Sequence, residues 1–185
     1  MSVLVEGLSV IVRLETLSEK YPGGATAYID DAPNATICSD AFLTRIGFMT
    51  PADVETYVYS LQDYGLVFTE DGRAVDIAVV DQLHGPTMPV SWMDCSKLTS
   101  GEMSITIAYD KRDTAVQTVV MPAGWTYGSS LSKQATFVPN ESAYLYQFIR
   151  EEDGVEVYRD PGTGKEVYMG RVRPNALGQD LVAED

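Results

Sequence analysis

The sequence predicts an α+β protein in which a mainly antiparallel sheet packs against a helix over residues 51–64, followed by a C-terminal helix-plus-hairpin. Three observations predict this class. One segment has the apolar period of an amphipathic helix, and several short β-rich runs lie between clusters of turn residues. Two turn sequences, EDG and DPGTG, join neighbouring β-rich runs as hairpins, and hairpins build antiparallel sheets.

The first 40 residues are predicted to form a strand and a short helical region. The opening MSVLVEGLSVIV is typical of a first strand, and residues 8–14 (LSVIVRL) are its β-rich run. Thr16 and Glu19 have the spacing of a capping box, which predicts a short helix that ends at YPGG (21–24). The segment ATAYIDD (25–31) adds another turn or two of helix.

The strongest pattern is the helix over 51–64. Thr50 is a preferred N-cap residue, and Pro51 occupies the first helical position, where a missing N–H costs no hydrogen bond. Gly65 follows the last turn as a C-terminal capping glycine. One apolar stripe repeats at i, i+3, i+4 and i+7 and is predicted to face the sheet: Val54, Tyr57, Val58 and Leu61.

The strands after this helix are predicted from period-two patterns and turn residues. Strand 66–69, the EDG turn and strand 74–81 form a hairpin. On the second of these strands, alternation places Asp76 on the solvent or cleft side of the sheet. Further β-rich runs predict strands over 90–95, 103–109, 115–121 and 134–138.

The C-terminal part is predicted to form a helix and a hairpin. Asn140 caps a helix over ESAYLYQFIREED, Gly154 ends it, and the hairpin then turns at DPGTG. We therefore expect a main α+β domain over 1–139, a helix and hairpin over 140–173 packed on that domain, and an acidic tail over 174–185. The hairpin is also a place where two copies of the chain could pair as a homodimer.

The chain is acidic, with 13 basic residues, 27 acidic residues and a formal charge of −14. A nucleic-acid backbone or an anionic membrane is recognised by a basic face, so neither is expected as a partner. No run approaches the ~20 apolar residues that a membrane span requires. The acidity allows a basic protein partner, or it serves solubility alone.

Cysteine content and the opening segment predict a cytoplasmic protein with reduced thiols. Cys38 and Cys95 are too few for a disulfide scaffold or a zinc cage, and the sequence does not decide whether they pair. The opening segment lacks the basic stretch of a secretion signal. Neither thiol has a base beside it in the sequence, which favours inert buried thiols over nucleophiles.

The motifs of common catalytic and cofactor sites are absent from the sequence. It has no phosphate-binding loop, dinucleotide fingerprint, serine nucleophile elbow, zinc-protease helix or CxxC pair, and no cofactor or metal is expected. His84 is the one histidine, so a metal site with two histidines from one chain is excluded. Catalysis by paired carboxylates stays open, with an enzyme the less favoured class.

The candidate binding residues lie mainly in VDIAVVDQLHGPTMPVSWMDC (75–95). Asp81 ends a strand, His84 follows in a tight loop, and Trp92 and Asp94 share one strand face, where an aromatic ring beside a carboxylate can grip a polar ligand. The alternative is a buried strand that runs into a rigid loop. In that interpretation Asp81 accepts backbone N–H groups and Trp92 belongs to the core.

Residues 42–81, FLTRIGFMTPADVETYVYSLQDYGLVFTEDGRAVDIAVVD, resemble a half-module of the glyoxalase/vicinal-oxygen-chelate family. Proteins of that family also run strand, helix, then a GLVF-like strand and a hairpin, so the resemblance implies a βαββ shape. Their histidine and glutamate metal ligands have no matching set here, and the resemblance therefore implies no metal chemistry. The chain as a whole resembles a small family of bacterial proteins, which implies no particular activity.

Two classes of function fit these observations. The first is a non-enzymatic acidic interaction protein, of the immunity, antitoxin or anti-defence type, that binds a basic protein partner. Tyr59, off the apolar stripe of the predicted helix, is its candidate contact, because exposed tyrosine is well suited to protein recognition. The alternative is a small-molecule binding module or a weak carboxylate-based enzyme with a cleft near residues 81–94. Carboxylates clustered on one face would favour the first class, and a deep pocket over residues 81–94 the second.

Overall fold

The computed structural model describes residues 1–101, 103–113, 118–130, 147–152, 155–159, 161–162, 164 and 166–170. Within them the chain is α+β, as predicted, with helices beside several antiparallel sheets. The helices are α1 (Leu14–Lys20), α2 (Gly24–Asp30) and α3 (Pro51–Asp63), with a 3₁₀ turn at Tyr127–Ser129. The strands are β1 (Ser2–Val5), β2 (Leu8–Arg13), β3 (Cys38–Ser39), β4 (Leu43–Phe48), β5 (Thr69–Glu70), β6 (Arg73–Ala74), β7 (Ile77–Asp81), β8 (Gly85–Pro86), β9 (Met93–Ser100), β10 (Met103–Asp110), β11 (Val119–Val120), β12 (Gln147–Glu152), β13 (Val155–Arg159) and β14 (Glu166–Gly170).

Two sheets and the helices form three layers. The five-stranded sheet has the order β3-β4-β2-β7-β8, and the four-stranded sheet has the order β11-β1-β10-β9. Strand β2 is paired on both sides and buried on both faces: Val10 and Val12 pack with the helices, and Ile11 packs with the other sheet. The sheet of β2 is therefore the middle layer, and the core lies on both of its faces.

Helix α3 confirms the strongest prediction from the sequence. The side chain of Thr50 accepts a hydrogen bond from the backbone N–H of Asp53 at 3.2 Å, which caps the helix one residue before Pro51. At the other end Gly65 has φ = 85°, and its N–H donates to the carbonyl of Gln62 at 2.8 Å. The apolar stripe of α3 is buried in the core cluster between the helices and the middle sheet.

The hairpin predicted over 66–81 differs from the observed one. Only β5 and β6, with two residues each, pair with each other, and the chain then crosses to the middle sheet as β7. Residues 42–81 form β4, α3, β5, β6 and β7, so three strands follow the helix where the resemblance implies two. In addition, β4 and β7 do not pair with each other, because β2 from outside this segment lies between them.

The other predicted strands are present with shifted bounds. The β-rich run 8–14 stops one residue early, because α1 begins at Leu14. The strand predicted over 90–95 is β9, which begins later and pairs with β10 along its whole length. Of the strand predicted over 115–121, the structure describes residues 118–121, in which β11 covers two residues beside β1. The strand predicted over 134–138 also lies outside them.

The C-terminal helix prediction is wrong over residues 147–152. This segment is strand β12, which pairs antiparallel with β13, and β13 pairs in turn with β14. The apolar period of this segment fits a helix, but pairing with β13 stabilises a strand instead. Across the two strands, the ring of Phe148 packs 5.5 Å from that of Tyr158. The hairpin itself is confirmed. Residues 140–146 and the tail 174–185 lie outside the described part of the chain.

One charged side chain is fully buried in the middle sheet. The guanidinium of Arg45 donates to the hydroxyl of Ser9 at 2.8 Å, to the carbonyl of Thr36 at 3.0 Å and to the carbonyl of Glu6. Burial lowers the pKa of Arg45, and these acceptors offset part of the cost of removing its charge from water. A Cβ atom on Gly47 would lie 2.4 Å from this guanidinium, so a larger residue there would displace the Arg45 side chain.

Candidate interaction surface

The helices gather negative charge on one side of the molecule. We define the helical layer as α1, α2 and α3 with their C-terminal cap residues Tyr21, Asp31 and Tyr64. Its sequence contains one basic residue, Lys20, and seven acidic residues: Glu15, Glu19, Asp30, Asp31, Asp53, Glu55 and Asp63. All of these carboxylates are exposed except that of Asp53, which is half-buried at the helix cap. Carboxylates that are scattered along the sequence therefore share one surface.

The single lysine of this layer is already paired. Its ammonium lies 2.7 Å from a carboxylate oxygen of Asp76, and the same oxygen accepts the backbone N–H of Val67 at 2.8 Å. Arg13 is the residue before α1. One of its guanidinium nitrogens lies 3.3 Å from the other carboxylate oxygen of Asp76, and a second nitrogen lies 3.1 Å from the carboxylate of Glu15. Lys20 is thus held by Asp76, and Arg13 offsets one exposed acid of the layer, Glu15, but none of the others within the described residues.

Asp76 itself corrects a prediction. The sequence pattern places it on the solvent or cleft side, but the residue is only 4% exposed. It precedes β7 and sits where the chain enters the middle sheet, under the side chains of Arg13 and Lys20. Burial alone would raise the pKa of Asp76, but the hydrogen bonds from Lys20 and from the Val67 N–H outweigh it, and the pKa is lowered. Asp76 is therefore a charged structural anchor.

Aromatic and aliphatic side chains interrupt the acidic surface. Tyr59 on α3 is 60% exposed, and its hydroxyl donates to Glu55 at 3.2 Å. Tyr64 is also exposed, and its ring packs against that of Tyr21 at 4.8 Å. Ile29 is exposed on α2. Exposed tyrosines among carboxylates combine apolar area with hydrogen-bonding capacity, as protein-recognition surfaces do.

A groove opens between α3 and the middle sheet. We name it the α3 groove; its volume is about 350 Å³ and most of its lining is apolar. Helix α3 contributes Val54, Glu55, Val58, Tyr59 and Gln62 to one side. The strands and loops opposite contribute Leu8, Phe68, Val79 and Thr87. The groove therefore brings Tyr59, a residue predicted for binding, together with an apolar hollow.

Asp81 and His84 lie together in a loop at the end of β7. One carboxylate oxygen of Asp81 accepts the N–H groups of Leu83 and His84, at 2.7 and 3.1 Å, and lies 3.2 Å from the imidazole. The His84 side chain is 82% exposed. Asp81 thus stabilises the turn by accepting backbone N–H groups. This is the arrangement expected for a rigid loop, the alternative to a binding site in the sequence analysis.

Trp92 and Asp94 lie apart from that loop pair. Trp92 is half-buried and packs on the core cluster between the two sheets, with the guanidinium of Arg13 5.6 Å from its ring centre. The Asp94 side chain is 56% exposed and lies 3.5 Å from the ammonium of Lys111. Among the described residues no hydrogen bond or ion pair joins these two residues to Asp81 or His84, and the α3 groove includes none of the four.

A second ion-pair network links distant parts of the sequence. Arg112 donates to both carboxylate oxygens of Asp110 at 2.8 Å and to Glu15 at 2.9 Å. These hydrogen bonds lower the pKa of Asp110, which is almost fully buried. The ring of Phe42 lies 5.1 Å from the same guanidinium. Because Glu15 and Arg112 stand 97 positions apart, no local motif in the sequence pointed to the contact between them.

Both thiols are free, and their surroundings favour the neutral thiol form. Cys38 is buried and Cys95 is half-buried. Burial raises the pKa of both, and the pKa of Cys95 rises to about 12 with a further contribution from Asp94. In the described part of the chain no cluster of three or more histidine, cysteine or acidic side chains is arranged to hold a metal ion. No helix described there has the length and apolar character to cross a membrane.

Comparison of the chain with protein-family models, with curated proteins and with solved structures found no match. The geometry of the helical layer and the α3 groove is therefore the basis for a functional proposal. The sequence pointed to Tyr59 but to no other part of the groove. Its remaining walls come from segments as far apart as Leu8 and Thr87, which no short motif could join.

Proposed function

We propose that this chain is a non-enzymatic interaction protein, of the immunity, antitoxin or anti-defence type, whose helical layer binds a basic protein partner. One observation carries the proposal. The layer exposes most of its seven carboxylates on one side of the molecule, and its one lysine is tied to the buried Asp76. Apart from Glu15, which pairs with Arg13 and Arg112, the exposed acids make no ion pair within the described residues, so the surface carries net negative charge at short range.

Such a surface acts mainly on the rate and specificity of binding. A concentrated negative field attracts a basic partner and speeds its diffusional encounter, and salt weakens this attraction. Rim charges of this kind give little binding energy by themselves, because exposed ion pairs contribute about 0–1 kcal/mol each. The exposed rings of Tyr59 and Tyr64 add the apolar contact area that a stable complex needs.

The alternative function, small-molecule binding or weak carboxylate catalysis near residues 81–94, has less support. The carboxylate of Asp81 is engaged with the N–H groups of its own turn, and Asp94 faces Lys111 at the surface. The α3 groove lies elsewhere. The close pair of Asp81 and His84 is the observation in favour of this alternative. The variant His84→Ala tests it, since an activity that depends on this loop should be lost in the variant.

A matched pair of triple variants tests the proposal. The first replaces exposed acids of the helical layer: Asp30→Asn, Glu55→Gln and Asp63→Asn. The second removes the same number of exposed charges outside that layer: Glu70→Gln, Asp71→Asn and Asp94→Asn. Each protein is immobilised, exposed to a lysate of the source cells under reducing conditions at two salt concentrations, and its bound proteins are identified.

The proposal predicts one stoichiometric basic protein on the wild type and on the second variant at low salt. The first variant should lose it, and moderate salt should release it from the others. Equal loss from both triple variants would place the binding surface outside the helical layer. Absence of any basic partner from the wild type at low salt would contradict the proposal itself.

A further inference from the structure

We infer that the α3 groove holds one apolar side chain of the basic partner, flanked by a lysine or arginine that pairs with Glu55. This inference rests on the proposed function and names the kind of segment that the partner contributes. It requires an apolar hollow, a carboxylate at its rim and no cation in its lining. The structure provides all three in the described residues.

The hollow is built from side chains of three elements. Val54 and Val58 form its α3 wall, and Val79 of β7 lies across from them. These three side chains are almost fully buried and form the apolar floor of the groove, which Leu8 and Phe68 extend. A volume of about 350 Å³ is at the lower end of the range for ligand sites and has room for a large apolar side chain.

The rim determines which charge the occupant carries. Glu55 is the one charged residue that lines the groove, and the hydroxyl of Tyr59 donates to its carboxylate at 3.2 Å. That contact leaves the rest of the carboxylate facing outward on an exposed turn of α3. An occupant with a carboxylate or phosphate would meet this charge and the acids of the helical layer. A cationic occupant with an apolar side chain fits both features.

Two other occupants fit less well. A second copy of the chain would bring one acidic helical layer against another, and like charges in contact oppose association. An uncharged apolar molecule would use the hollow but leave Glu55 without a counter-charge. The basic segment is therefore the occupant that uses the whole site, and the others become outcomes of the test.

Three fluorescently labelled peptides measured by anisotropy test the inference. The basic leucine peptide has one leucine between two pairs of lysines. The second peptide replaces its leucine with alanine, and the third replaces its lysines with glutamine. We expect the basic leucine peptide to bind the wild type about tenfold more tightly than the alanine peptide, since burying the larger side chain removes more apolar area from water. The glutamine peptide should bind at least tenfold more weakly than the basic leucine peptide.

A matched pair of variants on α3 locates the contact. Gln62 lines the groove, whereas Thr56 lies on the same helix outside it, and both are exposed and uncharged. Gln62→Phe should fill the groove and weaken the basic leucine peptide about tenfold, to the affinity of the alanine peptide. Thr56→Phe should leave both affinities unchanged. Circular dichroism of both variants checks that the fold is retained.

The outcomes separate this inference from the proposed function. If the leucine and alanine peptides bind equally well and salt releases both, the proposed binding of a basic partner is supported. The inference that an apolar side chain occupies the α3 groove is then wrong. If the glutamine peptide binds as well as the basic leucine peptide, the groove is a site for an apolar ligand and the inference fails. If no peptide binds at low salt, the inference fails, and the capture of a basic protein from lysate decides separately whether the proposed function holds.

Discussion

The ammonium of Lys20 lies 2.7 Å from the buried carboxylate of Asp76, and this ion pair engages the basic residue of the helical surface. Lys20 is the one basic residue of the helical layer, and the ion pair ties it to the entry of β7. Of the six exposed acids of the layer, Glu15 pairs with Arg13 and Arg112, whereas the other five make no ion pair within the described residues. A contact that stabilises the fold therefore also engages the one lysine of the negative surface on which the proposed function depends.

The first prediction concerns the stability that Asp76 provides. Asp76→Asn leaves Lys20 and Arg13 facing a neutral amide and weakens the acceptor for the Val67 N–H. We expect the free energy of unfolding to fall by about 2 kcal/mol, because breaking a buried ion pair strands its partners. Urea denaturation measures this loss. The exposed-turn control Asp71→Asn should change stability by less than ~0.5 kcal/mol, and an equal loss in both variants would contradict the anchoring role.

The second prediction is a loss of stability in acid. Hydrogen bonds from Lys20 and from the Val67 N–H, against the effect of burial, hold the pKa of Asp76 below the ordinary value of 3.8. Arg112 lowers the pKa of Asp110 in the same direction. A carboxylate with a lowered pKa in the folded state stabilises the protein above the unfolded pKa, and this contribution is lost as the pH falls through the folded value.

Urea denaturation at several pH values tests this linkage. The stability gap between the wild type and Asp76→Asn should be constant above pH ~5 and shrink as the pH falls below the ordinary aspartate value of 3.8. A gap that stays constant down to the acid transition would show that the pKa of Asp76 is the same in the folded and unfolded chain.

The third prediction concerns the buried arginine. A methyl group on Gly47 would lie 2.4 Å from a guanidinium nitrogen of Arg45, and three hydrogen bonds hold that guanidinium in place. Gly47→Ala should lower the free energy of unfolding by about 2 kcal/mol, since overpacking strains the sheet. The control Gly128→Ala has its nearest atom at 4.0 Å and should be nearly neutral by the same thermal or urea measurement. A neutral Gly47→Ala would mean that Arg45 can move aside.

The fourth prediction concerns the two thiols. Burial raises the pKa of Cys38 and brings that of Cys95 to about 12, so neither is a thiolate at pH 8. Iodoacetamide should label both at least a hundredfold more slowly in the folded protein than in urea. Mass spectrometry of the digested protein measures each site separately. Rapid labelling of either thiol in the folded chain would contradict its assignment as structural.

Helix α3 was predictable because every signal for it is local. The cap at Thr50, the proline that follows and the glycine after the last turn lie within the segment itself. Strand β12 was not predictable from its own residues, since its apolar period matches a helix and only pairing with β13 decides otherwise. Long-range pairing overrides local preference in such segments.

The candidate site also has parts that follow from local sequence and parts that depend on contacts between distant residues. Tyr59 was identified because its position off the apolar stripe of α3 follows from the helix period. Asp76 was misplaced, because alternation treats it as part of a continuous strand, whereas the chain enters β7 only at Ile77. The α3 groove and the tie between Lys20 and Asp76 join residues far apart in the sequence, and a sequence alone does not show which of them meet.

The most direct test of the helical layer as the binding face is a titration followed by ¹⁵N–¹H NMR. The labelled chain is titrated with the basic leucine peptide at low salt, and amide shifts are compared between α3 and the loop after β7. We predict saturable shifts at Glu55, Tyr59 and Gln62, with Asp81, His84 and Asp94 unchanged. Shifts confined to the loop, or no shifts at all, would contradict the assignment of binding to the helical layer.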